Sequence, residues 1–256
     1  MKNLITILNS FLVVFTLVLN ATHTYGASRQ RPSDLALVNE RLMQAIRDGD
    51  VDGVHLALNT SDVDVNYSDS NGYTPLILAS SSGNLEITAK LLNVRGIQIN
   101  KMNSSKSLTP LGSAIANHHY PVFLCLLNQG ADIGKKQRRY PHVEADALGF
   151  AAYYGQLEMV RELIRRGADI NRSGIDILKS IKATPIEFAS FNGHVEVVKE
   201  LLVNGAKIPS SFQSVTLQLA YKAITEDEKN MHKAAAVQEH FPIPELTHIV
   251  IGYLEN

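Results

Sequence analysis

Apolar residues in the middle of the chain recur in short blocks with helical period. In Val195-Glu196-Val197-Val198-Lys199-Glu200-Leu201-Leu202, the residues Val195, Val198 and Leu202 share one stripe at i, i+3 and i+7, while Glu196 and Lys199 lie off it. That spacing predicts an amphipathic helix. Comparable blocks end in paired aliphatics at Leu91-Leu92 and Leu163-Ile164, and the three blocks follow Gly83, Gly155 and Gly193. A second kind of block opens Thr74-Pro75-Leu76 with Ala79, Thr109-Pro110-Leu111 with Ala114, and Thr184-Pro185-Ile186 with Ala189. Threonine suits an N-cap, and proline suits the first helical position because its missing N–H costs little there. Alanine lets neighbouring helices approach closely. The predicted order is therefore helix, tight turn, helix. Closing signatures follow at Gly130-Ala131-Asp132-Ile133, Gly167-Ala168-Asp169-Ile170-Asn171 and Gly205-Ala206-Lys207-Ile208, where glycine suits a left-handed helix C-cap.

These signatures resemble the ankyrin repeat, whose unit of about 33 residues is a β-turn and two helices. Openings at residues 40, 74, 109, 146 and 184 place units at 35–67, 68–100, 101–134, 135–171 and 172–209. The resemblance implies an all-α fold: a solenoid of about five helix–turn–helix repeats with β-turn fingers, plus C-terminal helices. In the first unit Glu40 and Arg41 replace Thr-Pro, as expected of a capping repeat that meets water, while Leu42, Ala45, Gly49, Val54 and Leu58 keep the apolar pattern. The fourth unit opens with Asp146-Ala147-Leu148-Gly149, and Asp146 is a candidate cap. The family's histidine after Thr-Pro-Leu is replaced by Ile77, Gly112 and Glu187, which predicts looser turns. The openings are 34, 35, 37 and 38 residues apart, so the turn regions grow toward the C-terminus. Insertions in such arrays map to loops, often on the binding face.

The two ends read differently. Lys2 precedes an apolar run from Leu4 to Leu19, and small residues follow at Thr24, Gly26, Ala27 and Ser28. This is the layout of a signal peptide over residues 1–27, cleaved near Gly26 or Ser28, and it implies a secreted or periplasmic protein. An uncleaved membrane anchor is the alternative, although spanning usually takes about 20 apolar residues. Beyond the repeats, residues 210–256 predict a capping helix over Val215–Ile224 and a helical tail. The tail resembles a truncated F-box, as at the C-terminus of some ankyrin proteins from viruses and intracellular bacteria. Pro244, Glu245, Leu246, Val250, Tyr253 and Leu254 carry that resemblance, but Pro242-Ile243 stands where Leu-Pro is expected. It implies a secreted effector that recruits a host ubiquitin ligase. The alternative is an amphipathic helix packed on the last repeat.

Composition narrows the function classes. A formal net charge of -1 provides no global field for nucleic acid or for an acidic membrane. Cys125 is the single cysteine, so no internal disulfide forms, and its place in Phe123-Leu124-Cys125-Leu126-Leu127 reads as core. His118-His119 falls at a helix–helix turn with no metal-ligand spacing beside it, and Asp62 to Asp64 follow the repeat's own closing signature. No nucleophile elbow or phosphate loop appears, so neither catalysis, a cofactor nor a metal site is expected. The expectation is a monomeric protein-binding module without nucleic acid or, after signal cleavage, membrane contact. Its partner would be a protein of unspecified identity, from a host in the effector reading; a periplasmic structural module is the other alternative.

By the resemblance, the concave surface carries Ser81, Ser82, Asn117, Tyr153, Tyr154, Phe191 and Asn192. Aromatics gather in units four and five, and aromatics are the residues that most often anchor interfaces. The competing reading packs one ring in each unit under the neighbouring turn. Beside them runs Lys135-Lys136-Gln137-Arg138-Arg139-Tyr140, with Arg165 and Arg166 later in the unit and Arg172 directly after it. Arg138, Arg139 and Tyr140 would seat an acidic partner if that loop binds one; a solvated loop is the plainer reading, and the helix-end arginines also complement a helix dipole.

Overall fold

A computed structural model describes residues 32–228 apart from 104–106, 140–141, 178 and 209–213. The expected signal peptide, Tyr140 and the F-box-like residues lie outside the described residues.

Short helices pair as hairpins along the chain. The pairs are α1 (Pro32–Asp48) with α2 (Val51–Leu58), α3 (Pro75–Ser82) with α4 (Leu85–Leu92), and α5 (Pro110–Ala116) with α6 (Tyr120–Asn128). Then come α7 (Ala147–Tyr153) with α8 (Leu157–Arg165) and α9 (Pro185–Phe191) with α10 (Val195–Val203). Helix α11 (Val215–Glu228) packs on α9 and α10, burying Leu217 and Ala220. The starts are fixed by caps: the side chains of Asp50, Thr74, Asn84, Thr109 and Asp146 each accept a bond from the backbone N–H three residues on. Each such cap is worth about 1 kcal/mol. Burial pushes the Asp146 carboxyl above the usual carboxylate range, against the Gly149 N–H bond and the charge of Arg172.

The first helices of successive hairpins, α3, α5, α7 and α9, contact one another in series, and Ala79, Ala114, Ala151 and Ala189 are fully buried between them. The second helices stack outside. A single apolar core runs through both layers from Leu42 to Ala220, with Phe123, Phe150 and Phe188 as its largest fully buried side chains. Burying each such ring contributes about 1.5–3 kcal/mol. No one hairpin could cover these faces alone.

The turn between the two helices requires a left-handed residue. Gly83, Gly155 and Gly193 supply it, while in the third hairpin His118 does so at φ 64°, a strained choice for a residue with a Cβ.

One expectation needs correcting: the fold is not all-α. Strands β1 (Gln137–Arg139), β2 (Val143–Ala145), β3 (Gly174–Asp176) and β4 (Ile181–Ala183) form a continuous antiparallel sheet in the order β1-β2-β3-β4. The longer C-terminal turn regions provide the reason, since they leave enough chain to extend as hairpins and to pair with each other. Val143 aligns with Asp176 and Glu144 with Ile175 across the junction.

The expected looseness of the turns is corrected too. Asparagines tie closing turns: within the first unit Asn39 Oδ1 accepts from Asp64 N, and between successive closing turns Asn66 Oδ1 accepts from Gln98 N, Asn100 Oδ1 from Asp132 N and Asn171 Oδ1 from Lys207 N, at 2.8–2.9 Å. Lys135 Nζ also donates to the Asn100 carbonyl at 2.8 Å. The positions that lack histidine are filled in different ways. Ile77 is buried, and Glu187 accepts from both the N–H and the hydroxyl of Thr184 at 2.7 Å. Gly112 leaves room for buried Gln137, whose Oε1 accepts from Thr109 Oγ1 at 2.9 Å; a Cβ on Gly112 would lie 1.5 Å from that oxygen.

Candidate interaction surface

The C-terminal ends of the inner helices meet the finger sheet, and this meeting place brings aromatic and cationic side chains together. Tyr153 and Tyr154 end and cap α7, and Phe191 ends α9. Tyr154 stands edge-on to Phe150 at 5.5 Å and to Tyr153 at 5.1 Å, and Tyr153 stands edge-on to Phe188 at 6.2 Å. These contacts run from the buried core outward. Tyr153, Tyr154 and Phe191 are half-buried against that core, so the open alternatives combine: each ring packs on the repeat and keeps an exposed part.

The fingers place cations over the rings. Strand β1 carries the Arg139 guanidinium 5.8 Å from the centre of the Tyr154 ring. The turn between β3 and β4 brings Lys179 Nζ to 3.4 Å from the centre of the Phe191 ring. Such contacts contribute about 0.5–1 kcal/mol where exposed. Buried Asp176 fixes that turn by accepting from Lys179 N at 3.0 Å, with Lys179 Nζ 3.5 Å away. Burial raises the phenol pKa of both Tyr153 and Tyr154; the charge of Asp176 raises Tyr153 further, and Arg139 opposes both shifts.

The sheet's alternation separates neighbours in sequence. Arg138 aligns with Glu144, Glu144 with Ile175 and Ile175 with Lys182, so this row lies on one face. Arg139 aligns with Val143, Val143 with Asp176 and Asp176 with Ile181 on the other. Arg138 is bound to the Glu144 carboxylate, with Nε at 2.9 Å from Oε2, beside a cleft of about 330 Å³ also lined by Ile175, Ile177 and Ser180. The basic run is therefore divided between two faces rather than gathered in one patch. Arg165 and Arg166 lie elsewhere, both bonded to Glu162 on the outer helix, which holds that carboxyl down at about 2. Arg172 faces Asp146 at 3.9 Å.

The other expected residues sit on the N-terminal part of the inner layer. Asn117 Nδ2 donates to Ser81 Oγ at 3.2 Å, and Ser82 is exposed. Asn192 is exposed with its amide bonded to the Phe188 carbonyl. Sequence reasoning missed Lys179, Asp176 and His118, whose ring lies 6.3 Å from that of Tyr154. The alternation Gly174-Ile175-Asp176 and the growing unit spacing were the available signals.

His119 and His194 have structural places. Their Nε2 atoms lie 3.0 Å from the carbonyls of Ser81 and Tyr153, and their rings fill the space over Gly83 and Gly155. Half-buried Cys125 has its thiol pKa pushed up by burial. Among the described residues, no group of three or more His, Cys, Asp or Glu could hold a metal ion, and no helix is long and apolar enough to cross a membrane.

The family model for ankyrin repeats (3 copies) matches residues 42–137 and 139–211, together more than half of the chain. The chain is also 30% identical over 97 residues to SMC5-SMC6 complex localization factor protein 1 of Bos taurus. That match covers 38% of this chain and spans only 9% of the relative's length.

Proposed function

The chain belongs to the ankyrin-repeat family, whose repeats are generally protein–protein interaction modules, and we propose that it binds a partner protein on the C-terminal half of its concave surface. One observation carries this reading: Tyr153, Tyr154 and Phe191 converge with Arg139 and Lys179 where the inner helices meet the finger sheet. Rigid aromatics set against a core, with a polar rim, are what interface anchors require. The mechanism is binding without catalysis by one chain of about five repeats. Export through residues 1–27 is part of the proposal and rests on the leader-like sequence.

The test is capture by the immobilised chain from native-organism and candidate-host extracts, comparing wild type with a Tyr153→Ala, Tyr154→Ala, Phe191→Ala variant. The rings support the core, so Asn192→Arg serves as a second variant that adds bulk at an exposed position. Selective capture that both folded variants lose is the expected result. Capture that survives in Asn192→Arg and in a folded triple variant contradicts the assignment.

A further inference from the structure

We infer that the concave surface takes an acidic segment of its partner protein, with an apolar side chain of that segment seated beside Tyr153, Tyr154 and Phe191. This rests on the binding face proposed above and specifies its chemistry. The fingers that border the rings carry Arg138, Arg139, Lys179 and Lys182 against Glu144 and Asp176. Glu144 is taken by Arg138, and Asp176 is buried and taken by Lys179. Arg139, on the sheet face that meets the rings, is exposed and has no carboxylate partner among the described residues, whereas exposed Lys182 lies on the opposite face in the row of Arg138. The internal residues outside the description, 104–106, 140–141, 178 and 209–213, contain no Asp or Glu that could supply one.

The N-terminal part of the inner layer has a different character. Its exposed helix-end residues, Ser82 and Asn117, are neutral, and Arg47 at the first finger is bonded to Asp69 at 2.7 Å. Uncompensated positive charge and apolar ring surface therefore meet at the C-terminal half, where Arg139 lies over Tyr154. With a net charge of -1 overall, this local excess is what distinguishes acidic from basic partners.

The outer sheet face lacks this combination. It carries Lys182 and Arg138, the latter already holding the Glu144 carboxylate, but none of the three rings.

The experiment pans a display library of random 12-residue peptides against the full chain, then measures the selected peptides by fluorescence polarisation at low and physiological salt. The expected selection is Asp or Glu flanking an aromatic or aliphatic residue. Affinity should fall at least about tenfold in Arg139→Glu, and weaken with salt. Arg95→Glu, which changes an exposed charge after α4, should leave affinity unchanged. Selected peptides without acidic residues, lost in Asn192→Arg yet unaffected by Arg139→Glu, overturn this inference while the binding face stands. Peptides that bind Asn192→Arg and Arg139→Glu like wild type overturn both. A synthetic peptide of residues 229–256 that binds here and is lost with Arg139→Glu overturns the partner assignment in favour of an occupant within the chain.

Discussion

The fingers of the N-terminal and C-terminal halves solve the same problem by different means. In the first half, single side chains hold the turn. Asp69 Oδ1 accepts from Asn71 N and Tyr73 N, its other oxygen binds Arg47, and Asn103 Oδ1 likewise accepts from Ser107 N and Leu108 N. The second half instead uses main-chain pairing, with two hairpins joined into one sheet. The helix hairpins beneath are alike. What differs is whether a finger is held mainly by its own side chains or by strand pairing with the next finger, and the strand-paired fingers are the ones beside the aromatic rings.

The sharpest way to break the comparison is Asp69→Ala. It removes the acceptor of the Asn71 and Tyr73 N–H groups and leaves Arg47 unpaired, at a cost of about 1–3 kcal/mol measured by denaturant unfolding. The C-terminal binding face should keep its affinity for the selected peptides, because no C-terminal finger depends on Asp69.

Gly174→Ala addresses the opposite half. A Cβ there would lie 2.4 Å from the Glu144 carbonyl oxygen, and backbone cannot yield as a side chain does. The expected cost is about 1–3 kcal/mol. Here binding should be lost together with hydrogen-exchange protection in β2 and β3. A variant that keeps both shows that the fingers act independently.

Acid acts on the outer helices. Glu162 lies near 2 in the folded state, below its ordinary 4.5, so its bonds to Arg165 and Arg166 stabilise the fold above about pH 4.5. That stability is lost as pH falls from 4.5 toward 2. Glu162→Gln should flatten this part of the Tm-versus-pH curve without changing peptide binding. Smallest of all is Asn192→Arg, which should shift stability by no more than about 0.5 kcal/mol while abolishing binding.

The helices were legible because their determinants are local. Thr74, Thr109 and Asp146 cap as their positions predict, and the buried alanines fall five residues after each opening. The sheet was not legible from strand propensity, since each strand is only three residues long and its pairing partners lie as far apart as Val143 and Asp176. The ring residues could be placed by repeat register. Lys179 could not, because its position over Phe191 depends on the turn that Asp176 closes.

The central claim is that recognition belongs to the C-terminal half, and panning the peptide library against two blocked variants tests it most directly. One carries Ser82→Arg with Asn117→Arg, the other Tyr154→Arg with Asn192→Arg, and both must melt cooperatively. The account predicts that the first selects the same peptides as wild type and that the second selects none of them. Loss of those peptides only in the first variant would contradict it.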